Sequence, residues 1–78
     1  TTESLTNPQL GLLKALISGE QQLSSQASLK KYGMGTSGNV NRIKKSLIEK
    51  DILDTKDDSL AFQDPIYRYW LKHHYFRI

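Results

Sequence analysis

The 78-residue chain contains no cysteine, so neither a disulfide nor a thiolate–metal site can supplement its core. That absence fits a reducing, cytoplasmic setting. No apolar run approaches the roughly 20 residues that span a bilayer, and no membrane partner is expected. The opening Thr1-Thr2-Glu3-Ser4 has no initiator Met and none of the basic-then-apolar pattern of a signal peptide. A start of this kind reads as a piece cut from a longer protein. There is no internal repeat, low-complexity tract or dividing linker, so residues 1–78 are expected to form one small domain. A chain this short buries only about 60% of its unfolded surface.

Catalytic and metal chemistry are missing as well. His73 and His74 are the only histidines, and neighbours on a helix point about 100° apart. No further His or Cys completes a metal shell. No nucleophile–base–acid set is recognisable. Gly33-Met34-Gly35-Thr36-Ser37-Gly38 matches the dinucleotide-binding string G-x-G-x-x-G. That string works between a strand and a helix in a βαβ unit, whereas a helix precedes it here. A Walker A pattern is absent too. The chain reads as non-catalytic and without a cofactor of its own.

What is present is an uneven charge. The net +3 conceals a basic middle: residues 30–50 hold Lys30, Lys31, Arg42, Lys44, Lys45 and Lys50 against Glu49. Residues 51–64 hold Asp51, Asp54, Asp57, Asp58 and Asp64 against Lys56 alone, and residues 65–78 add Arg68, Lys72 and Arg77. The chain is therefore basic, then acidic, then basic again.

Helix signals place these charges. Thr6 and Gln9 form a capping box, Leu5 and Leu10 a hydrophobic staple, and Leu10, Leu13, Leu16 and Ile17 a helical stripe that Gly19 ends. Ser24 or Ser25 starts a short second helix running to about Tyr32, with Ala27 and Leu29 inward and Gly33 as its stop. Thr36 or Ser37 caps a third helix with Val40, Ile43 and Leu47 inward. Two helices joined by a Gly-containing turn make a helix-turn-helix. Ile52–Thr55 and Ser59–Phe62 then read as two short strands around Lys56-Asp57-Asp58. Asp64-Pro65 opens a fourth helix by capping Asp and first-position Pro.

The expected fold is thus mainly α with a small β-hairpin: a winged helix-turn-helix of three helices, a two-stranded wing and a C-terminal fourth helix. On the third helix Gly38, Asn41, Arg42, Lys45 and Ser46 should face outward, with Asn39 and Lys44 on the flanks. In helix-turn-helix proteins the start of the second helix enters the major groove. Asn39 and Asn41 suit adenine edges, Arg42 suits guanine, and Lys44 and Lys45 suit phosphates. Thr36 and Ser37, with the free N–H groups at the helix start, suit a phosphate too. Against this stands the plain reading of a solvated basic face. The wing offers Asp54, Asp57 and Asp58 where a DNA-gripping wing offers cations.

On the fourth helix Ile66, Tyr67, Trp70 and Leu71 should make one core-facing stripe, leaving Tyr69, Tyr75 and Phe76 off it. Those three rings are the candidates for docking a protein partner.

Taken together, Thr6-Asn7-Pro8-Gln9-Leu10 with Leu13, Ser24-Ser25, Gly35-Thr36-Ser37-Gly38-Asn39-Val40 with Leu47, and Asp64-Pro65-Ile66-Tyr67-Arg68-Tyr69-Trp70-Leu71 resemble a known family region. It is the C-terminal region of prokaryotic, archaeal-type AAA ATPases of the P-loop superfamily. The resemblance spans nearly the whole chain and is most specific from Asp64 to Leu71. It implies a parent that binds and hydrolyses ATP, with Mg, through residues outside this sequence. It also implies a regulatory role for this region, by binding double-stranded DNA or by packing against its own ATPase domain; the off-face rings and the acidic wing allow docking on another protein as well.

Overall fold

The computed structural model describes residues 4–57 and 59–78. Its elements follow in the order α1 (Asn7–Ile17), α2 (Gln26–Lys31), α3 (Ser37–Glu49), β1 (Leu53–Lys56), β2 (Ser59–Phe62) and α4 (Pro65–Trp70), continued by a π-helical turn, Leu71–Tyr75. The strands pair antiparallel, Leu53 opposite Phe62 and Lys56 opposite Ser59. This is the winged helix-turn-helix arrangement that the sequence implies, with the hairpin as wing.

Local chemistry accounts for each start. Thr6 Oγ1 accepts from the Gln9 backbone N–H at 3.3 Å while Gln9 Oε1 accepts from the Thr6 N–H at 2.8 Å, a complete capping box. Ser25 caps α2 by accepting from Ser28 N, and Thr36 caps α3 by accepting from Asn39 N. Asp64 accepts from the Ile66 N–H at 2.9 Å, with Pro65 in the first helical position. Gly33 and Gly35 take the left-handed conformation (φ of 65° and 85°) and fold the link between α2 and α3 around the wholly buried Met34.

The core collects Leu12, Leu13 and Ala15 of α1, Leu29 of α2, Val40, Ile43 and Leu47 of α3, Leu53 of β1, and Leu71. In α1, Leu13 and Ile17 of the expected stripe are buried, whereas Leu10 and Leu16 are half-buried and pack at its margin. Leu12 and Ala15 are fully buried on another side of the helix, because α1 is covered by both α3 and the end of α2. Gln9, buried at the start of α1, donates from Nε2 to Ser46 Oγ of α3 at 2.9 Å, and Ser46 Oγ in turn donates to the Ile43 carbonyl at 2.8 Å.

The structure corrects several local expectations. Ala27 is exposed, and Ser28 is buried in its place, its hydroxyl donating to Glu20 at 3.3 Å. Ser46 is half-buried against α1 rather than outward. Strand β1 starts at Leu53, with Ile52 spent on a backbone bond to Leu47.

The fourth helix changes most. Only Leu71 of the expected inward stripe is buried and Tyr67 is half-buried, meeting Phe62 of β2 edge-on at 6.5 Å. Ile66 and Trp70 are exposed, because a two-stranded sheet covers one flank of α4 only. After Trp70 the helix widens, and the Phe76 N–H donates to the Leu71 carbonyl five residues back at 2.7 Å. In an α-helix five residues would turn the side chain about 140° away. The wider turn rotates Phe76 back toward the side of Leu71, and Phe76 is half-buried against the core.

Candidate nucleic-acid interface

The exposed side of α3 is set by its buried side. With Val40, Ile43 and Leu47 inward, a turn of about 100° per residue puts Gly38, Asn41, Arg42 and Lys45 on the opposite face. All four are exposed, as are Thr36 and Ser37 at the helix start. Gly35, Thr36, Gly38, Asn39 and Arg42 line a shallow surface depression where the turn meets α3. The first turn of α3 holds no acidic residue to offset the positive end of the helix dipole.

The seven candidate contacts do not all fall together. Thr36, Ser37, Asn41, Arg42 and Lys45 share the exposed start and outer face of α3. Asn39 is half-buried, and its Nδ2 donates to the Met34 carbonyl at 2.8 Å, so its amide first serves to close the α2–α3 turn. Lys44 is half-buried on the flank and lines a separate depression with Gln21, Gln22, Leu23, Ser24 and Ser25. It borders the α1–α2 link instead of the outer face.

Two further cations stand on the preceding helix. Lys30 and Lys31 lie in the last turn of α2, exposed, in the helix that precedes the turn. Their signal was the basic run from 30 onward, which marks a segment without saying which side chains line a surface. Among its described residues the wing adds one positive charge, Lys56. Asp54 and Asp57 are exposed beside Lys56, and the Asp54 carboxylate accepts from the Thr55 N–H at 2.8 Å. Asp58, the third wing carboxylate, lies outside the described residues.

A second surface is carried by α4 and the π-helical turn. Tyr69 and Tyr75 are exposed (61% and 45%), whereas Phe76 is half-buried. Of the three docking candidates, two present open rings and one chiefly closes the core. Ile66 and Trp70 join the exposed surface. Tyr69 lies 4.3 Å from the His73 ring centre, and Trp70 lies 5.8 Å from Tyr75.

Among the described residues no group of three or more His, Cys, Asp or Glu side chains is placed to hold a metal ion. No helix among them is long and apolar enough to cross a membrane. No curated protein and no solved structure gives a match to this chain. One family model does, described as a probable winged helix domain, and it matches residues 1–73. With the capped helices, the Gly-bounded turn and the two-stranded wing already in place, the chain belongs to that winged helix family.

Proposed function

We propose that this winged helix is a non-catalytic module that binds double-stranded DNA, with the start of α3 in the major groove. The observation that carries the reading is the joint exposure of Asn41, Arg42 and Lys45 on one face of α3, beside the open depression at Gly35, Thr36 and Gly38. Asn41 and Arg42 supply groups suited to base edges, while Lys45, the α3 start and the lysines ending α2 supply contacts to phosphates. Because the wing is acidic, contact rests on the helices rather than on the hairpin. The resemblance from Asp64 to Leu71 supports a parent ATPase as the protein that carries the module, with ATP and Mg bound elsewhere in that parent. Cytoplasmic action follows from that reading.

Fluorescence anisotropy on labelled duplex DNA, at low and at moderate salt, tests the proposal. Binding should weaken as salt rises and should fall when Arg42→Ala and Lys45→Ala are combined. No binding at low salt, or binding indifferent to that double substitution, rejects it.

A second reading has its own observation. The exposed Tyr69 and Tyr75, joined by Ile66 and Trp70, form an apolar surface suited to a protein partner, either the parent's ATPase domain or another chain. On this reading the module regulates by docking, with or without DNA.

A further inference from the structure

The sequence pattern of α4 predicts that Ile66 and Trp70 turn into the core, yet both face outward. Ile66 is 77% exposed and Trp70 42%. This open face adjoins a depression lined by Asp51, Ile52, Asp64 and Tyr67. Two contacts join the depression to the face. The Asp64 carboxylate accepts from the Ile66 backbone N–H, and the Tyr67 ring lies nearly parallel to Trp70 with 6.3 Å between centres. The depression sits where α3 ends: Lys50 terminates the helix, and Asp51 follows it in the left-handed conformation (φ of 60°). Both aspartates are exposed. Among the described residues no Lys or Arg forms an ion pair with either of them, the sequence neighbours Lys50 and Arg68 included.

Charge and size at this corner select the occupant. Residues 51–64 carry five aspartates against Lys56 alone, so an acidic segment or a nucleic-acid strand is repelled. The C-terminal end of α3 brings the negative end of a helix dipole to the same place, which also favours a cation. At about 260 Å³ the depression falls below the roughly 300–1,000 Å³ of small-molecule sites and suits a single side chain. An arginine matches each wall. Its planar guanidinium can donate to two carboxylates and lie against an aromatic ring, and its stem accepts apolar contact from Ile52.

We propose that this corner docks a basic, apolar segment of a protein partner, its arginine in the depression between Asp51 and Asp64 and its apolar residues on Ile66 and Trp70. This rests on the docking reading above and gives that surface a partner chemistry. The corner lies at the opposite end of α3 from Thr36 and Gly38, so a docked partner leaves the start of α3 open to DNA.

Trp70 is the only tryptophan, so its emission reports on the face directly. The 78-residue chain is titrated with a synthetic helical peptide bearing leucines on one face and one arginine beside them. Matched peptides with citrulline, the neutral isostere, or glutamate in place of arginine serve as comparators. The arginine peptide should shift Trp70 emission to the blue and saturate, and the citrulline peptide should bind about fivefold more weakly or worse. The glutamate peptide should be weaker still. Combined Asp51→Asn and Asp64→Asn should abolish the preference for arginine while the thermal melt holds, because asparagine also caps helices and also tolerates the left-handed conformation. Ile66→Ser should weaken arginine and citrulline peptides alike. Equal binding of those two peptides to the parent chain, or a preference that survives the asparagine pair, overturns the arginine site and leaves a docking surface of another kind. No blue shift with any peptide overturns the proposal and the docking reading together. A concentration-dependent blue shift of the chain alone, with dimers in sedimentation, overturns the proposal in favour of a second copy.

Discussion

Gly11 of α1 lies directly beneath the backbone carbonyl of Tyr32, the residue that ends α2. A Cβ on Gly11 would collide with that oxygen, which is backbone and has no rotamer to yield. An exposed helical glycine replaced by alanine gains about 1 kcal/mol from propensity alone. Here the forced separation of α1 and α2 should cost about 1–3 kcal/mol and exceed the gain. Gly11→Ala should therefore lower the melting temperature by several degrees, at about 4–8 °C per kcal/mol for a domain of this size. An increase in melting temperature would show that α2 can move away at no cost.

A second tie joins α1 to α3. Gln9 Nε2 donates to Ser46 Oγ at 2.9 Å, and the same Gln9 side chain completes the capping box with Thr6. Ser46→Ala leaves a buried amide without its acceptor and should cost about 1–2 kcal/mol. Gln9→Ala also removes the Oε1 acceptor of the Thr6 N–H, half of the capping box, and should cost more. In a double-mutant cycle by chemical denaturation the pair should couple by about 0.5–1.5 kcal/mol. Additive losses would mean that the Gln9 side chain acts through its bond to the Thr6 N–H alone.

The architecture was legible because it is written in local chemistry. Thr6 with Gln9, Ser25, Thr36 and Asp64 cap the helices they announce, and Gly33 and Gly35 turn the chain where the pattern breaks. Harder to see were residues whose fate depends on what lies opposite. Leu12 and Ala15 are buried because α1 is covered on two sides, and a single-stripe reading finds only one of them. Met34 stands alone in a turn, without a period to mark it, and is nevertheless wholly buried. Gly38, Asn41, Arg42 and Lys45 of the outer face of α3 could be read directly, since Val40, Ile43 and Leu47 fix them by elimination, whereas Ser46 turns to Gln9 of α1. The second task of Asn39, closing the turn through Met34, depends on a backbone carbonyl that no side-chain pattern reveals.

The π-helical turn separates two aromatic residues that look alike in the sequence. Phe76, whose N–H reaches back to the Leu71 carbonyl, packs against the core, while Tyr69 stands in the open. Phe76→Ala should destabilise the fold by about 2–3 kcal/mol, less than a fully buried phenylalanine because Phe76 is only half-buried. Tyr69→Ala should stay within about 0.5 kcal/mol of the parent. Paired denaturant melts decide the matter, and equal losses at both sites would contradict the widened turn.

If DNA binds through α3, the acidic wing opposes it. Reversing the exposed Asp54 and Asp57 to lysine should raise affinity at low salt and steepen the salt dependence. The slope of log K against log salt should increase in magnitude by up to about 2 if both lysines reach phosphates. An unchanged slope would place the wing away from the duplex. Loss of affinity would count against α3 as the reading helix.

Gly38 gives the most direct test of where the groove is met. A Cβ there would find only Thr36 Oγ1, at 4.0 Å, so the site is open within the domain itself. Gly38→Ala should be neutral or stabilising by about 0.5 kcal/mol, since it restricts the unfolded chain without a clash. A larger Gly38→Leu would fill the depression shared with Thr36, Asn39 and Arg42. Duplex affinity should then fall about tenfold or more while the thermal melt holds, because the bulk meets the ligand and not the protein. The two readouts separate the causes: a lost melt would mean that Gly38 serves the fold. Full affinity in a well-folded Gly38→Leu variant would place the DNA elsewhere than at the start of α3.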